Sequence, residues 1–104
     1  MAKEINWTQE AEDTFEKIIE FLKTKWTERE AVNFINAANK TIFYISEAPF
    51  MFRQSKKQNI REAVISKHNL LLYRVKPKHI ELLTFWDTRR NPKTKFKGKK
   101  SLQK

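Results

Sequence analysis

The chain contains no cysteine, one glycine, three prolines and two histidines in 104 residues. Without cysteine there is no disulfide framework and no thiolate metal site, and a reducing cytoplasm is a compatible compartment. The single glycine, Gly98, excludes the glycine-rich loops that cradle phosphates. No apolar run reaches the ~18 residues of a transmembrane helix, so no membrane partner is expected. The start, MAKEINW, enters patterned sequence with no charged-then-apolar leader that would imply secretion. There is no HExxH and no nucleophile elbow. After residue 50 the only acids are Glu62, Glu81 and Asp87. Metal sites need clustered carboxylates or histidines, and His68 and His79 both fall in predicted turns, so neither a metal nor a cofactor is expected. Glu62 and Glu81 are expected to face solvent or to pair with a neighbouring arginine, because acids are rarely buried alone.

The chain is basic, and unevenly so. The net charge is +10. Residues 1–50 carry six Lys and Arg against nine Asp and Glu, whereas residues 51–104 carry sixteen against three. Such asymmetry points to an anionic partner facing the C-terminal half. The length suits one compact domain whose core folds without staples.

Glu4 to Trp7 alternates polar and apolar residues, as an edge or half-buried strand does. Thr8 suits a helix N-cap, with Glu10, Glu12 and Asp13 placed where the helix dipole favours negative charge. Ala11, Phe15, Ile18 and Leu22 then form one helical face, which Ile19 and Trp26 widen. Thr27 to Glu30 matches a capping box and opens a second helix, whose apolar face is Ala31, Ile35, Ala38, Ile42 and Ile45, with Phe34 beside it. The short connection implies an antiparallel hairpin. Pro49 closes it, since the residue before proline disfavours helix. Phe50, Met51 and Phe52 form an apolar loop patch, and Gln54 to Asn59 is polar and basic.

Period two then takes over. Strands are predicted over 60–65, 70–75 and 80–86, joined by turns at 66–69 and 76–79, which makes an antiparallel meander. Leu70 to Tyr73 is apolar on consecutive residues and reads as a central strand covered on both faces. From Lys93 the chain holds six lysines in twelve residues. That stretch buries too little to offset ordering entropy, so a disordered tail is expected at 93–104 and a single folded unit at 3–92. The fold class is α+β: an N-terminal strand, a helical hairpin, then a three-stranded meander.

One kind of catalysis survives these exclusions. Phosphodiester cleavage needs charge neutralisation, which Arg and Lys supply, and a proton-transfer group. Lys56, Lys57, Arg61, Arg74, Arg89 and Arg90 lie on adjacent strands or strand ends. Tyr73 is the nearest proton-transfer candidate, although a tyrosine in an apolar central strand more often packs its ring in the core. Binding to nucleic acid needs less: a basic patch with exposed aromatics. Trp7, Trp26, Phe50, Met51 and Phe52 are candidates for a protein-binding surface that receives an amphipathic helix and an extended segment.

INWTQEAEDTFEKIIEFL, a second helix ending in SEAPF, IREAVISKHNLLLYRV and IELLTFWDTRRNP together resemble the RelE/ParE superfamily of toxins from type II toxin–antitoxin modules, over about residues 3–92. The resemblance implies an antiparallel sheet on a helical hairpin and a cognate antitoxin whose C-terminal segment wraps the toxin in a heteromeric complex. It also implies growth inhibition. RelE-type members are ribosome-dependent mRNA endonucleases, and ParE-type members inhibit DNA gyrase. Arg89 falls where the RelE type carries an arginine after the last strand, and Arg61 and Lys56 or Lys57 match its other basic residues. The tyrosine or histidine that follows in that type has no counterpart among Asn91 to Phe96. The Arg-Arg-Asn-Pro ending looks like the ParE branch. The expectation is therefore a ParE-like gyrase inhibitor contacting its target through Arg89 and Arg90, with Lys56, Lys57, Arg61 and Arg74 in support. A ribosome-dependent nuclease using Arg89, Arg61, Lys56 and Lys57 is the alternative, and a non-toxic nucleic-acid-binding regulator the third reading.

Overall fold

The computed structural model of the chain describes residues 3–57 and 59–88. The elements run β1 (Glu4–Trp7), α1 (Gln9–Lys25), α2 (Glu28–Glu47), β2 (Arg53–Gln54), β3 (Arg61–Ser66), β4 (Asn69–Val75) and β5 (His79–Asp87). The strands form one sheet in the order β1-β5-β4-β3-β2. Strands β2 to β5 are antiparallel neighbours, and β1 reaches β5 in parallel through the helical hairpin. This is the expected α+β architecture. Two details go beyond it. Arg53 and Gln54 pair with Glu62 and Arg61, so the meander gains an edge strand from a stretch read as loop. His79 opens β5 instead of closing the turn, because it pairs with Glu4.

Both helix starts follow their local chemistry. The Thr8 hydroxyl accepts from the Ala11 amide at 3.1 Å, and the Thr27 hydroxyl accepts from the Glu30 amide at 3.1 Å. Each bond satisfies one of the amides that a helix start leaves unpaired. Glu10 and Glu12 sit in the first turn of α1 and Lys23 and Lys25 in its last, both favourable to the dipole. Ala11, Ile18, Phe34, Ala38 and Ile45 face the sheet and pack on Leu71, Tyr73, Ile80, Leu82 and Phe85. Trp26 departs from its expected stripe. The helix ends at Lys25, Trp26 caps it with its amide on the Leu22 carbonyl, and the indole is 59% exposed.

Strand β4 is buried on both faces, as its consecutive apolar residues imply. Leu71 and Tyr73 face the helices, whereas Leu72 clusters with Ile60 and Leu83 on the opposite side. Strand β5 is the most anchored element. The Thr8 amide bonds the Leu82 carbonyl at 3.1 Å, and the Thr8 hydroxyl reaches the same oxygen at 2.8 Å. The Phe85 amide donates to the Thr14 hydroxyl at 2.9 Å. Phe85 also lies within 5.0–6.3 Å of the rings of Trp7, Phe15 and Phe34. Aromatic contacts of this kind add about 0.5–1.5 kcal/mol each beyond the area they bury. The far end of β5 is tied as well, since the Thr88 amide donates to the His68 carbonyl at 2.7 Å. The chain thus leaves the sheet at a fixed place, immediately before Arg89.

Candidate functional site

The basic residues predicted to act together do not all share one surface. Residues opposite one another in a ladder project to the same face. Arg61 is opposite Tyr73, so it projects to the helix side of the sheet. Arg74, the next residue after Tyr73, projects to the other side. There it lies opposite Glu81 and pairs with it at 3.6 Å. Arg61 and Arg74 therefore do not converge. Glu62 is buried and pairs with Arg53 at 2.5 Å, across the β2–β3 ladder. Both acids thus meet arginines, the second of the two outcomes the sequence allowed.

Arg61 is engaged by backbone. Its guanidinium donates to the Phe52 carbonyl at 2.8 Å and approaches the Phe50 carbonyl at 3.4 Å. It also stands 5.1 Å from the centre of the Phe50 ring, at cation–π distance. Its ladder partner Tyr73 is fully buried and donates its hydroxyl proton to the Pro49 carbonyl at 2.6 Å. Burial pushes the Tyr73 hydroxyl up to about 12, and the nearby Arg61 charge offsets only part of that. Tyr73 is therefore a protonated core residue and a hydrogen-bond donor at neutral pH, not a base.

Lys56 and Lys57 occupy the β2–β3 turn, whose backbone is well tied. The Ser55 amide donates to the Ile60 carbonyl at 2.8 Å, and the Lys57 amide donates to the Ser55 hydroxyl at 2.9 Å. Asn59 takes the left-handed conformation, with φ of 65°, which asparagine tolerates better than most residues. The two lysines sit at the tip of this hairpin, Lys56 exposed and Lys57 half-buried. Arg89, Arg90 and the segment 93–104 lie outside the described residues.

The five candidates for a protein-binding surface divide. Phe50 and Met51 are exposed, at 64% and 62%. Trp26 is exposed too, on a groove of about 370 Å³ lined with Leu22, Glu30, Phe34, His68 and Asn69. Trp7 and Phe52 instead pack inward: Trp7 on Phe15 and Phe85, Phe52 edge-on to Tyr73. A sequence pattern does not separate exposed from packed aromatics in loops and on edge strands. Sequence reasoning also missed Arg53 and Thr14. A short edge strand and a mid-helix threonine carry no periodic signal.

A five-stranded sheet of this order, with a helical hairpin on one face and a basic β2–β3 tip, is the architecture of RelE/ParE superfamily toxins. The chain belongs to the ParE toxin family of type II toxin–antitoxin systems, whose sequence pattern it matches over residues 5–92. Among solved structures it is similar to the chromosomal ParDE toxin–antitoxin system of P. aeruginosa. The TM-score is 0.73 at 16% identity, covering 83% of this chain and 96% of that one. It is also similar to the YoeB dimer of Staphylococcus aureus, with a TM-score of 0.60 at 12% identity over 83% and 97% of the two chains. A YoeB/ParE toxin from Agrobacterium tumefaciens gives 0.59 at 15% identity over 81% and 96%. No curated protein matches the sequence. No helix among the described residues is long and apolar enough to cross a membrane.

Proposed function

We propose that this toxin acts in the cytoplasm by inhibiting DNA gyrase and is held inactive by a cognate antitoxin, as the ParE type is. The observation that carries this reading is the state of Arg61 and Tyr73. A nuclease on this fold needs a free cation and a proton-transfer group beside the scissile phosphate. Here the Arg61 donors are directed at two backbone carbonyls, and Tyr73 is buried and hydrogen-bonded. The match to the ParE family over 5–92 supports the same choice. Target contact is assigned first to Arg89 and Arg90, then to Lys56 and Lys57, with Arg61 and Arg74 less directly involved. Antitoxin contact is assigned to Trp26, Phe50 and Met51, with Trp7 and Phe52 supporting them from beneath. Residues 3–92 form the working domain.

The test is a supercoiling assay with purified gyrase and the purified toxin at micromolar concentration. Loss of supercoiling is expected. Undiminished supercoiling, together with mRNA cuts in codon register on translating ribosomes, would assign the chain to the nuclease type. Normal growth on induction without the neighbouring gene would favour a non-toxic regulator.

A further inference from the structure

The loop after α2 is fixed at four points. The Pro49 carbonyl accepts from the Tyr73 hydroxyl at 2.6 Å, and the Phe52 carbonyl accepts from Arg61 at 2.8 Å. Arg61 also reaches the Phe50 carbonyl at 3.4 Å, and the Met51 amide donates to the Ala48 carbonyl at 3.1 Å. Yet the loop holds Phe50 and Met51 in water, 64% and 62% exposed. The Arg61 guanidinium, 5.1 Å from the Phe50 ring centre, orients that ring as well as the backbone. Large apolar side chains kept exposed on a rigid frame mark a docking point, because the ordering cost of binding is already met in the free chain.

Two neighbouring features say what docks there. The stretch 47–62 carries four cations against two carboxylates, and one of those carboxylates, Glu62, is buried against Arg53. The surface around the loop therefore favours an acidic partner. The loop also runs directly into β2, which pairs with β3 on one side and forms the edge of the sheet. An open edge accepts an extended segment through backbone hydrogen bonds.

Resting on the toxin reading above, we propose that Phe50 and Met51 are a preformed anchor for an extended, acidic antitoxin segment with apolar side chains at intervals. Arg61 is the positioning residue of that anchor, not a contact to the target. A segment seated there runs beside Lys56 and Lys57, so antitoxin and target compete for one surface.

The test uses the purified full chain and a short fluorescent peptide alternating leucine and glutamate. Binding is followed by anisotropy, with thermal midpoints measured in parallel. The peptide is expected to bind, more weakly as salt rises. Phe50→Ala with Met51→Ala is expected to weaken binding about tenfold or more at an unchanged midpoint, the scale of losing buried anchors. Arg61→Lys is expected to weaken it nearly as much as Arg61→Ala, because one ammonium cannot reproduce a fork that spans two carbonyls and stacks on a ring. Wild-type binding by Arg61→Lys would overturn the positioning role. Wild-type binding by the Phe50/Met51 double variant would overturn the anchor, even if Arg61→Ala fails to fold. Equal binding of a leucine–lysine or a serine–glutamate peptide would overturn the assigned partner chemistry. Loss of gyrase inhibition in the double variant, with peptide binding intact, would give the loop to the target instead. These readouts do not depend on growth. A chain that binds the peptide but leaves growth and gyrase untouched sinks the toxin reading alone, and one that arrests growth but ignores the peptide sinks this proposal alone.

Discussion

Tyr73 and Arg61 face the same side of neighbouring strands and hold the same loop, one by a buried hydroxyl and one by a charged fork. The Tyr73 hydroxyl is pushed up to about 12 by burial. Between the ordinary tyrosine value of about 10 and that folded value, the unfolded chain loses its proton while the native chain keeps it. Stability therefore falls as pH rises through this window, by about 2–3 kcal/mol in total. The thermal midpoint should drop between pH 10 and 12, and Tyr73→Phe should flatten that drop. At pH 7 the same substitution should cost about 1 kcal/mol, for one hydrogen bond. A wild-type profile matching that of Tyr73→Phe would contradict the burial. The core position of Tyr73 is legible in the sequence because it sits inside an apolar run. The engagement of Arg61 is not, because strand register depends on turns and bulges that a local pattern does not encode.

Among the elements, β5 shows how a local signal acquires a long-range role. Thr8 is readable as an N-cap, and Thr27 equally so, because capping depends on a few adjacent residues. Only Thr8 also bonds β5, at Leu82. Thr8→Ala should cost about 2 kcal/mol, the high end for a cap, and Thr27→Ala about 0.5–1 kcal/mol. Urea denaturation of both variants checks the order, and equal costs would mean that the tie to β5 contributes nothing. The helices and the three long strands are legible from their periods. Strand β2 is not, since two residues have no period and form a strand only by meeting Glu62 and Arg61. Trp26 misleads for the opposite reason. Its spacing continues the α1 stripe, but the helix stops one residue earlier and leaves the indole in solvent.

Across the whole molecule, the uneven charge becomes a geometric fact. The C-terminal half, with sixteen cations against three acids, builds β2 to β5 and the basic β2–β3 tip. The N-terminal half, net acidic, builds the helical hairpin on one face. Replacing Lys56 and Lys57 together by alanine should reduce growth arrest without lowering the thermal midpoint, since neither lies in the core cluster. A large fall in the midpoint would instead give the tip a structural role. The superfamily and its fold are visible in the sequence because they rest on periods and on the Asp87 to Pro92 ending. The target is less visible, because it depends on whether cations are free or engaged. The most direct measurement is the rate of supercoiling by purified gyrase as this toxin is added. Dose-dependent loss at micromolar toxin, relieved by Arg89→Ala, is the predicted result. Unchanged supercoiling across that range, with ribosome-dependent mRNA cleavage by the same preparation, would contradict it.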